Sequence, residues 1–138
     1  MLQWELLLLL GLIYLLAYLV VIFGGSFFVG QFLKPYKNTE INPDSTGLKG
    51  VGRKIGIIER AIILTLAFLG EFGAISFVFV AKSMARFEQL KKRQFAEYYL
   101  LGTLLSILFA LFIALIVQGL IAILANTYFP DLQNLWNK

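Results

Sequence analysis

The residue of this chain best placed for chemistry is Glu71, a lone carboxyl inside a long apolar run from Ile55 to about Phe87. Arg60, Glu71 and Lys82 stand eleven residues apart. Eleven residues make almost three helical turns, so on a straight helix all three project from nearly one face. Arg60 and Lys82 then lie roughly 33 Å apart, close to the thickness of a bilayer's hydrocarbon core. Each reaches its own interface as an anchor, and Arg86 does the same. Glu71 is left at the midplane. A carboxyl there is a functional-site hypothesis by default, because a charge at that depth costs about 2.5 kcal/mol or more. It would either titrate in a proton-linked carrier or stay protonated and make one structural hydrogen bond between helices.

The same face is narrow, with Ala67, Gly70, Ala74 and Ala81 recurring at helical steps beside Ile63 and Phe77. Small residues let two backbones approach closely, so this face is expected to pack against another helix. Polar partners stand at similar depth in two other apolar runs: Tyr14 and Tyr18 in the first, Thr103, Ser106 and Gln118 in the last. Their hydroxyls and amide could donate to Glu71. The expected intramembrane polar site is therefore Glu71, Tyr14, Tyr18, Thr103, Ser106 and Gln118.

Other chemistry is thinly supplied. The chain has no Cys and no His, which removes thiol catalysis, imidazole acid–base work and zinc sites built on those ligands. Neither a nucleophile elbow nor a phosphate loop is present. The segment Gly47–Lys54 has glycines and basic residues ahead of a helix but lacks the spacing of a nucleotide fingerprint. No enzyme is expected, although a lipid-active one without a recognisable nucleophile is the residual alternative. No metal or cofactor is expected.

The elements that must position these residues follow from composition. Of 138 residues, 59% are hydrophobic and only 14% charged. Soluble domains carry roughly 45–50% apolar and about 25% charged residues. One small core could not hide so much apolar surface, so lipid must solvate it. The pattern predicts an all-α membrane protein, a small bundle of three transmembrane helices at about 2–33, 55–87 and 98–125, forming one domain. A polar loop, 34–54, joins the first two helices and a basic linker, 88–97, the last two. The net charge of +4 sits in loops and span ends, which points to membrane orientation and not to nucleic acid. Both loops are basic, with Lys34, Lys37, Lys49, Arg53 and Lys54 at the first and Lys82, Arg86, Lys91, Lys92 and Arg93 at the second. Three straight spans put them on opposite sides of the membrane. A re-entrant second segment turning at Gly70-Glu71-Phe72-Gly73 would keep both cytoplasmic, but the regular spacing favours the straight span.

The stretch from Gly52 to Leu111 carries a further signal. It contains Gly56, Glu59 and Arg60, then Ala81, Lys82, Ser83, Arg86 and Phe87, then Glu97, Tyr98, Gly102, Thr103 and Ser106. This pattern resembles the C-terminal region of a bacterial membrane-protein family known only as a domain of unknown function, and covers less than half of the chain. The resemblance implies the bacterial cytoplasmic membrane and lends no activity. Taken together, the sequence points to a multi-pass, non-enzymatic membrane component, in contact with the lipid bilayer, that forms homo-oligomers or joins partner membrane subunits. The alternatives are a small channel or carrier using Glu71, or a holin-like pore.

Overall fold

A computed structural model describes residues 3–37, 48 and 50–128. Most of the polar loop and the tail from residue 129 lie outside them. All regular structure among the described residues is helical.

The first apolar run forms one rod: α1 (Gln3–Leu19), a wide π turn (Val20–Gly24), α2 (Gly25–Leu33) and a closing 3-10 turn (Lys34–Tyr36). Its 34 residues span roughly 51 Å at 1.5 Å per residue. The last helix, α6 (Arg93–Tyr128), has 36 residues, or roughly 54 Å. Both are long and apolar enough to cross a membrane. Only 11% and 17% of their most apolar stretches are buried within the fold, too little for the core helices of a soluble domain. The outward leucines and phenylalanines, among them Leu7, Leu15, Phe27, Leu108, Phe112 and Ile123, face outside the bundle.

The second apolar run departs from the straight span expected of it. It forms α3 (Val51–Phe68) and α4 (Phe72–Ala85), folded into an antiparallel hairpin. Lys82 Nζ lies 2.6 Å from Glu59 Oε2, although 23 residues of straight helix would separate them by roughly 34 Å. The chain reverses at Gly70, whose φ of +74° is open to glycine at little cost. The Gly70 amide donates to Ala67 O at 3.1 Å and the Glu71 amide to Leu66 O at 2.9 Å, which is a Schellman closure of α3. Carbonyls left at the end of α3 are thereby satisfied, and α4 starts at Phe72.

After α4 a short helix, α5 (Phe87–Leu90), leads into α6. The rod and α6 run antiparallel, with Leu33 against Gly102 at one end and Ala17 in the core with Val117 at the other. Helix α3 runs beside α6 in the same direction and packs along it. Ala17, Ala67, Ala110 and Ala114 lie at the crossings, where small side chains permit close approach of the backbones. Val21, Ile63, Leu64, Ile75 and Val117 fill the space between them.

Because the hairpin returns to its starting level, Lys34, Lys37, Arg53, Lys54, Arg86, Lys91, Lys92 and Arg93 all lie towards one end of the bundle. At the other end lie the start of α1 with Glu5 and the end of α6, while the hairpin tip with Glu71 stops roughly 15 Å short of them, near the level of Tyr14 and Gln118.

Candidate functional site

The residues expected to converge on Glu71 do not do so. Glu71 is exposed at the hairpin tip, and its side chain makes no capping bond to α4. No hydrogen bond or ion pair engages its carboxylate among the described residues. The physical reason is the reversal at Gly70: the carboxyl sits on a turn, not on the flank of a continuous helix.

Its expected partners bind elsewhere, at successive levels. Nearest the tip, Gln118 Nε2 donates to Ala67 O at 3.3 Å, and Tyr14 meets Phe68 edge-on with ring centroids 5.0 Å apart. One turn lower, the Tyr18 and Thr65 hydroxyls are 2.5 Å apart, and Thr65 Oγ1 also donates to Ala61 O. Thr103 and Ser106 are buried lower still. The expected narrow face is split by the reversal as well. Ala67 is buried and Ala74 half-buried, Gly70 forms the turn, and Ala81 is exposed.

The polar centre of the molecule is Arg60, which sequence reasoning assigned to the interface as an anchor. It is only 5% exposed. Its side chain runs between helices: Nη2 donates to Ser26 Oγ at 2.5 Å and Nη1 to Ser106 Oγ at 3.4 Å. Ser26 Oγ in turn donates to Ile22 O at 2.8 Å, so its lone pairs are turned to the guanidinium. Nε is buried with no protein partner. Three elements thus hold one cation, α3 from below, α2 and α6 from the sides.

Gly25 makes this seating possible. A Cβ there would stand 2.7 Å from Arg60 Cδ and 2.9 Å from Nε, closer than real Cβ contacts allow. Gly25 follows the π turn Val20–Gly24, which shifts the helical register just before the arginine crosses. Isolated π turns recur at functional sites.

Towards the basic end a second cluster adjoins the first. Glu59 pairs with Lys82 at 2.6 Å, with side chains 13% and 20% exposed. Lys82 Nζ lies 5.4 Å from the centre of the Tyr99 ring, a cation–π distance. The Tyr99 side chain lies among Ser83, Glu59 and Arg86. Lys82 is therefore a partner within the fold more than a free anchor. The pairs Lys91–Glu88 and Arg93–Glu97 are exposed and contribute little.

The arrangement can hold charge. An arginine without a touching carboxylate inside an apolar bundle costs several kcal/mol, roughly the penalty of an unpaired buried ion, unless hydroxyls and further partners solvate it. Ser26 and Gly25 carry this arrangement and were not singled out from sequence. Their signal was present as the polar, flexible break Gly24-Gly25-Ser26 in the first apolar run. Among the described residues no cluster of three or more His, Cys, Asp or Glu could hold a metal. No family model, curated protein or solved structure matches this chain.

Proposed function

We propose that this chain is a non-enzymatic component of the bacterial cytoplasmic membrane that assembles with further membrane subunits, its own copies first among them. It crosses the bilayer twice, through the rod and α6, and inserts the α3–α4 hairpin between them from the cytoplasmic side as a re-entrant element. The gathering of basic side chains at one end supports this orientation through the positive-inside rule.

The observation that carries the assembly reading is the outer face of α4. Ile75 is its only buried residue, and Gly73, Ser76, Phe77, Val80, Ala81 and Met84 are exposed. Gly73 has open space around the position of a Cβ. A helix tip with Gly, Ser and Ala outward suits a close helix–helix crossing, with the Ser76 hydroxyl facing the partner. Glu59 and Arg60 are neighbours on α3, one paired with Lys82 of α4 and the other donating to Ser106 of α6, which ties the hairpin to the long helix.

The carrier reading built on Glu71 loses its support, because that carboxyl stands apart from every hydroxyl meant to serve it. The chain contains no cysteine, so single cysteines report without background. Phe77→Cys and Ala81→Cys are expected to give disulfide-linked dimers in native membranes, whereas Leu12→Cys on α1 gives none. A monomeric mass in mild detergent together with no α4-dependent cross-link in membranes would remove the proposal.

A further inference from the structure

We infer that Arg60 is the centre of an anion-binding site within the bundle, built to take a phosphate-type oxyanion. The first support is the state of the cation. Arg60 is 5% exposed, and no carboxylate among the described residues touches it. Its nearest acidic neighbour, Glu59, is engaged by Lys82 at 2.6 Å. A guanidinium offers five N–H donors. Two are used, on the Ser26 and Ser106 hydroxyls, and Nε has no protein partner. The serine oxygens accept from the arginine and so fix its plane, but they do not neutralise it.

The second support is the reshaping of helix 1 at this level. Gly25 is the position that admits the arginine stem, with 2.7 Å from a Cβ there to Cδ. The π turn Val20–Gly24 lies immediately before it. A merely structural tether between helices needs hydroxyls or an amide. It needs neither a full positive charge nor a glycine and a register shift to seat it. Buried charge retained at such cost is the arrangement expected of a binding site.

The third support is the charge around it. Lys82 and Arg86 stand between Arg60 and the basic end, and Arg53 and Lys54 occupy the first turn of α3. Seven residues of helix place Arg60 roughly 10 Å in from Arg53. Basic side chains gathered at one end raise the local concentration of anions there. The planar guanidinium matches two oxygens of a phosphate by parallel N–H bonds, which a lysine cannot reproduce. The same chemistry is offered by free phosphate and by a lipid headgroup.

The test uses the full chain purified in dodecyl maltoside, a non-ionic detergent without phosphate. Its melting temperature is followed on titration with sodium phosphate, with dihexanoyl phosphatidylglycerol, and with sodium chloride at matched ionic strength. Saturable stabilisation by phosphate identifies a free anion, and stabilisation by the lipid alone identifies a headgroup site. Arg60→Gln is expected to abolish the response. Arg60→Lys and Ser106→Ala are each expected to weaken the apparent affinity about tenfold, as for the loss of one charged hydrogen bond. If Arg60→Gln does not fold, Ser106→Ala decides, and an unchanged affinity overturns the assignment. So does a parent protein that responds to neither probe beyond the chloride control.

Discussion

The distribution of cost between two charged residues decides how this chain is read. Glu71 looks central on a straight helix and stands outside the packing at the hairpin turn. Arg60 looks cheap at a helix end and is costly where it lies, 5% exposed between three helices. Spacing along the chain could not reveal this, because it fixes which face a side chain leaves and not what stands opposite. Gly24-Gly25-Ser26 interrupts the first apolar run in the sequence, but its use as a seat for an arginine depends on a residue 35 positions away. Two outcomes follow for single substitutions. Gly25→Ala forces a methyl group to within 2.7 Å of Arg60 Cδ, so the arginine must shift or the rod must move. Overpacking of this kind costs about 1–3 kcal/mol, and thermal unfolding in detergent is expected to show the loss. Glu71→Gln removes a charge that no side chain engages and is expected to change stability by less than about 0.5 kcal/mol. A large loss in Glu71→Gln would put the carboxyl back inside the packing and undo the account of the tip.

The hairpin explains why an even spacing pointed to the wrong element. Glu59 and Lys82 are equally distant in sequence from the Gly70–Glu71 peptide, so the regular intervals serve a symmetric hairpin as well as one long helix. Apolar character persists through both arms because both lie among apolar surroundings, and hydropathy alone carries no mark of the reversal. What did carry a mark was Gly70 with Gly73, together with two basic loops that a straight span could not place on one side. The helical class and the two long rods were legible from composition and run length, since nothing but helices satisfies that much backbone without water. The closing pair then becomes the sharpest test of the element. Glu59→Gln strands the Lys82 ammonium, whose side chain is 20% exposed. Partial solvation keeps the cost near about 2 kcal/mol, below the value for a wholly buried pair. The swap Glu59→Lys with Lys82→Glu is expected to recover most of that loss, whereas two charges far apart on a straight helix would show no such coupling. Gly70→Ala puts a Cβ on a residue with φ of +74° and is expected to cost about 1–2 kcal/mol in the same unfolding assay.

At the scale of the whole molecule, charge and chain reversal fix one another. A membrane inserts its proteins with basic segments retained on the cytoplasmic side, so two basic loops joined by one apolar run demand an even number of crossings between them. The α3–α4 hairpin supplies that by returning to its own level, with Arg53 and Lys54 at its start and Arg86 beyond its end. The rod and α6 then leave their far ends together, away from the basic loops, where Glu5 is the charge among the described residues. Single cysteines at Lys37, Lys92 and Tyr128 test this directly, since the parent has none to confuse the signal. Lys37→Cys and Lys92→Cys are expected to resist a membrane-impermeant maleimide in intact spheroplasts and to react in inside-out vesicles. Tyr128→Cys is expected to do the reverse. Labelling of positions 37 and 92 from opposite faces would require the second apolar run to cross the bilayer once. That would break the Glu59–Lys82 contact beside Arg60.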